Sequence, residues 1–207
     1  MADTTLADRC VGILVFDGVE VLDFAGPFEV FGVTGELSGG QHFKASLVAK
    51  QAREYVAVNG MKVSPNETFD NHPAYDVLVV AGGSGTRTVM NDEGLIQWIS
   101  RAAARAEVVL SVCSGARLLG QAGLLDGLPV ATHHLVYEHL GQIAPQAILR
   151  RDARVVDTGQ VVTTGGISAG IDGSFHVVSR LLGSDVARRT ADYMEYRWVP
   201  DEGVLRV

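Results

Sequence analysis

Four short apolar runs, each stopped by glycine or other small residues, constrain the fold of this 207-residue chain more than any other feature. Residues 10–16, 75–81, 108–112 and 161–164 are rich in Val, Ile and Leu and do not alternate with polar side chains. An uninterrupted run of that length suits a strand buried on both faces, which needs helices above and below it. A helical face built from Leu95, Ile96, Trp98, Ile99, Ala102 and Ala103 spans about 92–106 and leads straight into the run at 108. After Cys113, Leu118, Leu119 and Ala122 return at helical spacing. Strand and helix in alternation imply parallel pairing through right-handed crossovers, so the expected class is α/β, with a mostly parallel sheet and helices on both faces.

The remaining segments fit that plan. Pro27 heads a helix carrying Phe28, Val30 and Phe31, in the first-turn position proline tolerates. Residues 43–49 read as a strand, and 55–58 with 61–63 as a hairpin around Asn59-Gly60. Residues 66–73 read as a loop, 129–134 as a short strand ending in two histidines, and 135–143 as a helix. Strands are expected within 147–156 and at 161–164, then a helix over about 172–182 and a last one capped by Ser184. A single domain, 1–207 with its core at about 10–196, is the economical reading.

Composition narrows the function. Hydrophobic residues make up 47% and charged residues 20%, so a well-buried interior is expected. The net charge of −7 argues against nucleic acid as a partner. No apolar run has membrane-spanning length, and residues 1–8 lack the basic and apolar regions of a secretory signal. Two cysteines, Cys10 and Cys113, suit a reducing cytoplasm better than a disulfide framework.

Chemistry is expected at one edge, because open parallel sheets bind ligands beyond the carboxyl ends of their strands. Asp23, Gly82-Gly83, Cys113-Ser114, His133 and Gly165-Gly166 all follow expected strands. A thiol at a strand-to-helix corner meets unpaired N–H groups and a favourable dipole, which stabilise its thiolate. Cys113 is therefore a candidate nucleophile, expected to react with peroxide or iodoacetamide well before Cys10; the alternative is a small buried hydrophobe. Asp23 is either a partly buried carboxyl suited to proton transfer or a helix cap. His133 is either a pocket residue or a structural imidazole, and Asp172 sits where capping is the simpler role. No grouping of ligand side chains suggests a metal, and no phosphate-binding fingerprint is present.

Six motifs in order carry a resemblance. They are Asp23 within Val-Leu-Asp-Phe-Ala-Gly-Pro, Ala-Gly-Gly at 81–83, Ser-Val-Cys-Ser-Gly-Ala at 111–116, Ala-Gly-Leu-Leu-Asp-Gly at 122–127, Ala-Thr-His-His at 131–134 and Gly-Gly-Ile-Ser-Ala-Gly-Ile-Asp at 165–172. Together they resemble the ThiJ/PfpI superfamily over about residues 11–195, most of all its isonitrile hydratase branch and the sensor-like domains of AraC-type regulators. The resemblance implies a flavodoxin-like, class I glutamine amidotransferase-like fold, a homodimer and no cofactor. It implies Cys113 as nucleophile, Asp23 as its acidic neighbour, Ser114 as donor of an N–H and a hydroxyl, and Gly83 as a second oxyanion-type N–H. His133 and Gly166 fall in the implied pocket. The branch carries Thr after the cysteine and Thr-His-Trp where this chain has Thr-His-His; protease-like members carry His after the cysteine, and Ser114 departs from that. The implied activity is hydration of an isonitrile to an N-substituted formamide. The alternatives are a ligand- or redox-sensing domain without its DNA-binding part, or another thiol activity of glyoxalase, deglycase or amidase type.

Overall fold

The computed structural model describes residues 8–207. Residues 1–7, most of the polar stretch read above as lacking a secretory signal, lie outside the described residues. In chain order the elements are β1 (Arg9–Leu14), α1 (Val21–Leu37), β2 (Phe43–Ala49), β3 (Tyr55–Val56), β4 (Lys62–Val63), β5 (Glu67–Thr68), β6 (Val77–Val80), α2 (Thr86–Val89), α3 (Glu93–Ala103) and β7 (Val108–Ser111). A 3-10 turn at Cys113–Gly115 then runs into α4 (Ala116–Gln121). β8 (Pro129–Val130), α5 (Tyr137–Ile143), β9 (Ile148–Leu149), β10 (Val155–Asp157), β11 (Val161–Thr164), α6 (Ala169–Leu182), α7 (Ser184–Tyr193) and β12 (Val204–Arg206) complete it.

Eight strands form the central sheet in the order β12-β10-β11-β7-β6-β1-β2-β5. Every neighbouring pair is parallel except β10 with β11. The uninterrupted runs are its centre: all four residues of β6 are fully buried, as are Val11, Ile13 and Leu14 of β1. Helices α1, α6 and α7 pack on one another over one face and α3, α4 and α5 over the other, which gives the doubly wound α/β architecture. The chain leaves β1 toward β2 and later steps from β6 to β7 in the opposite direction, so the winding reverses between β1 and β6. That reversal opens a crevice at the carboxyl ends of the two strands.

Three local expectations change, and the hairpin holds. Helix α1 begins at Val21, so Pro27 lies inside it and Asp23 in its first turn. Proline removes one helical N–H bond, but Phe24, Val30, Phe31 and Val33 are buried on this helix and packing carries it through. The 55–63 hairpin forms with Tyr55 opposite Val63, and Asn59 and Gly60 take the positive φ values its turn needs. β8 pairs only with β9, outside the main sheet. Two edge strands, β5 and β12, went unread because two or three half-buried residues carry no periodic signal. Among the described residues, no helix is long and apolar enough to cross a membrane.

Candidate active site

Four segments meet at the crevice, each delivered by a strand. β1 leads into the first turn of α1 with Asp23, β6 into Gly82-Gly83, β7 into Cys113, and β11 into residues 165–167. Cys113 has φ of +57°, a left-handed conformation uncommon outside glycine that aims the side chain away from the strand line. The neighbours hold it there. Val112 donates to the Val80 carbonyl at 3.1 Å, Cys113 N–H to the Gly165 carbonyl at 3.0 Å, and Thr132 Oγ1 to the Cys113 carbonyl at 2.6 Å. Ile167 is strained in the same sense, with φ of +52°, which is rare for a β-branched residue. Its N–H and that of Ser114 lie where they lower the pKa of the Cys113 thiol, favouring the thiolate.

Asp23 does not cap its helix. It is fully buried, and Oδ2 accepts the Gly82 N–H at 3.0 Å across the crevice. Oδ1 accepts no N–H or O–H, and the polar side chain that acts on the carboxyl is the Cys113 thiol. Burial raises the Asp23 pKa to about 7; the Gly82 N–H opposes the rise and the Glu20 charge adds to it. The Cys113 thiol is pushed up to about 12, first by burial and then by the charge of Asp23, against the two N–H groups. The corner was expected to hold a ready thiolate. Instead the amides are outweighed and the resting site holds a neutral thiol beside a carboxyl poised near neutrality. Glycine at 82 is required by this approach, since a Cβ there would lie 2.6 Å from Ser114 N and 2.7 Å from Asp23 Oδ2.

Ser114 anchors the second wall. Its Oγ accepts the Gly83 N–H at 2.8 Å and donates to the Gly83 carbonyl at 3.1 Å. The Gly83 N–H, expected as an oxyanion donor, is thus committed to Ser114, and the amide from a separate segment that lowers the thiol pKa is that of Ile167. Thr86 Oγ1 bridges outward, within 2.8 Å of the Gly83 carbonyl and 3.3 Å of Ser114 Oγ, and accepts from Arg117 Nη1 at 3.1 Å.

His133 reaches the edge although β8 lies outside the main sheet, because Ala131 N–H donates to Thr163 Oγ1 of β11 at 2.9 Å. Its ring lies directly on Gly166, where a Cβ would collide with Cδ2. Nδ1 accepts the Leu135 N–H at 3.2 Å, leaving the proton on Nε2. Burial, then His134 and Arg117, lower its pKa, so it is a neutral donor near neutral pH. Asp172 lies elsewhere, paired with Arg154 at 2.6 Å and with the Tyr196 hydroxyl at 2.9 Å. Among the described residues, no group of three or more His, Cys, Asp or Glu side chains could hold a metal ion. Thr86 and Arg117 went unread, while Thr132 and Ile167 stood inside quoted motifs with no role of their own assigned.

Comparison with known proteins places this geometry. The model of the DJ-1/PfpI family matches residues 9–180. Isonitrile hydratase of Pseudomonas putida is 35% identical over 190 residues, covering 92% of this chain and 79% of that protein. The HTH-type transcriptional regulator GbdR of Pseudomonas aeruginosa is 23% identical over 94% of this chain, which spans 52% of the regulator. Among solved structures, a ThiJ/PfpI family protein from Pseudomonas syringae superposes with a TM-score of 0.84 at 29% identity, covering 98% of this chain and 84% of that one.

Proposed function

The chain belongs to the DJ-1/PfpI family, and on that premise we propose that it is an enzyme that hydrates an isonitrile to an N-substituted formamide through a covalent intermediate on Cys113. The observation that carries this reading is the buried pair of Asp23 and Cys113, with pKa values near 7 and 12. A neutral thiol needs a base at the moment it attacks, and a carboxyl with a pKa near the working pH is suited to take and return a proton.

Cys113 Sγ attacks the terminal carbon of R–N≡C while Asp23 takes the thiol proton. Asp23 returns that proton to the same carbon, leaving the thioimidate R–N=CH–S–Cys113. Water then adds across the C=N bond, its hydroxyl going to carbon and its proton to nitrogen. The tetrahedral adduct collapses with cleavage of the C–S bond, giving R–NH–CHO and restoring the thiol. The Ser114 and Ile167 N–H groups stabilise charge that develops on sulfur, a role fixed donors play in a site closed to water. Ser114 Oγ holds the Gly83 turn, and His133 Nε2–H offers a donor at the mouth beside Gly166. In this reading the protein needs no cofactor and works as a cytoplasmic homodimer of a single ThiJ/PfpI-type domain.

The test is direct. Protein incubated with a simple alkyl isonitrile should yield formamide, and Cys113→Ser and Asp23→Asn should each abolish it; absence of formamide with Cys113 unmodified refutes the reading. A sensing domain is the second reading, favoured by the match to transcriptional regulators along 94% of the chain. It predicts isonitrile or oxidant binding at Cys113 without turnover.

A further inference from the structure

Arg117, the fourth residue after Cys113, carries a charge that the mechanism above leaves unused. It is 3% exposed, yet its contacts are to neutral groups: Nε donates to His139 Nδ1 at 3.0 Å and Nη1 to Thr86 Oγ1 at 3.1 Å. The charged side chain that acts on it is Arg87, of the same sign, and the Cys113 sulfur would attract it once ionised. No carboxylate among the described residues pairs with it, in a chain with 24 acidic and 17 basic residues. Burying a guanidinium without a counterion is costly, and buried charges are held where a partner of opposite sign completes them. Nη2 has no hydrogen-bond partner among the described residues and keeps some solvent-accessible surface. Through Thr86 Oγ1 the guanidinium stands two hydrogen bonds from Ser114 Oγ, and its charge is felt at His133.

We propose that Arg117 Nη2, with Arg87 and His139 beside it, forms an anion subsite next to Cys113, and that the molecule attacked by the thiol carries a carboxylate. The inference rests on Cys113 as the reacting atom, and it holds for any reaction at that sulfur. A carboxylate would accept from the free edge of the guanidinium and supply the missing counterion, while the reacting carbon is presented to the thiol. Charge-assisted pairing of that kind is stronger than a neutral hydrogen bond and favours the anionic member of a substrate pair.

Iodoacetate and iodoacetamide test this without requiring turnover. The two reagents match in size and alkylate the same thiolate, so any effect of a variant on thiol pKa or folding cancels in the ratio of their rates. Peptide-resolved mass spectrometry separates Cys113 from Cys10. The ratio at Cys113, iodoacetate over iodoacetamide, should exceed that of the unfolded chain by about tenfold, fall by about as much in Arg117→Gln and be partly retained in Arg117→Lys. Acetate added to the wild type should slow iodoacetate and leave iodoacetamide unchanged, which decides the matter if the Gln variant fails to fold. An unchanged ratio in Arg117→Gln, or a wild-type ratio equal to that of the unfolded chain and indifferent to acetate, overturns the subsite. Failure of isonitrile hydration with the ratio effect intact refutes the reaction and leaves the subsite standing.

Discussion

Asp23→Asn should produce a protein that is more stable and inactive, with a gain that grows with pH. Asp23 is fully buried and its pKa stands at about 7 against the usual 3.8, with burial the leading cause. A carboxyl whose pKa is higher folded than unfolded binds more protons in the folded state. Its contribution to stability is present below the unfolded value and is lost as the pH rises through the folded one. A shift of roughly three pKa steps, at about 1.36 kcal/mol each, sets an upper bound of about 4 kcal/mol lost by the wild type above about pH 7. Movement of Glu20 and entry of water would relieve part of it, so about 2–4 kcal/mol is expected. Asparagine carries no charge at any pH, and its carbonyl can still accept the Gly82 N–H that Asp23 accepts at 3.0 Å. Urea unfolding of both proteins from about pH 4 to about pH 8 reads the difference. The stabilities should converge at the acid end and separate in favour of the variant as Asp23 ionises. Parallel curves, or a variant less stable at the alkaline end, would refute the argument that Asp23 is ionised against its surroundings.

Other consequences are as specific. Against the expectation from sequence, wild-type Cys113 should be alkylated by iodoacetamide no faster than Cys10, because burial and the Asp23 charge raise its thiol pKa, and Asp23→Asn, which removes that charge, should speed Cys113 several-fold at about pH 8. The rate of hydration should rise with pH and reach half its plateau near pH 7, as Asp23 ionises to act as base. Ser114→Ala strips partners from the buried Gly83 N–H and carbonyl and should lower stability by about 1–3 kcal/mol in urea unfolding. Gly82→Ala should abolish formamide production, since the added methyl falls on Ser114 N and Asp23 Oδ2.

The framework of this site was legible because backbone chemistry writes it plainly. Uninterrupted Val and Leu runs mark buried parallel strands, small residues after them mark corners, and sheet topology brings the corners together; Asp23, Gly82-Gly83, Cys113 and Gly165-Gly166 were found in this way. Long-range geometry was hidden. A carboxylate beside an apolar run reads alike whether it caps a helix or crosses a crevice, and only the approach of the Gly82 N–H separates the two for Asp23. The balance at Cys113 was equally invisible, because burial and the Asp23 charge depend on packing while the helix corner can be read locally. Helix α1 shows burial of Phe24, Val30 and Phe31 overriding a proline that the sequence alone would place at a helix start. Arg117 gave no warning, since an arginine within a helical face ordinarily reads as a solvated residue.

Covalent attachment of the substrate to Cys113 during hydration is read by quenching the wild-type reaction with an alkyl isonitrile and mapping peptide masses. The Cys113 peptide should gain the mass of the whole isonitrile, the adduct should decay as formamide appears, and Cys113→Ser should show neither. Formamide formed at full rate by Cys113→Ser would contradict that attachment.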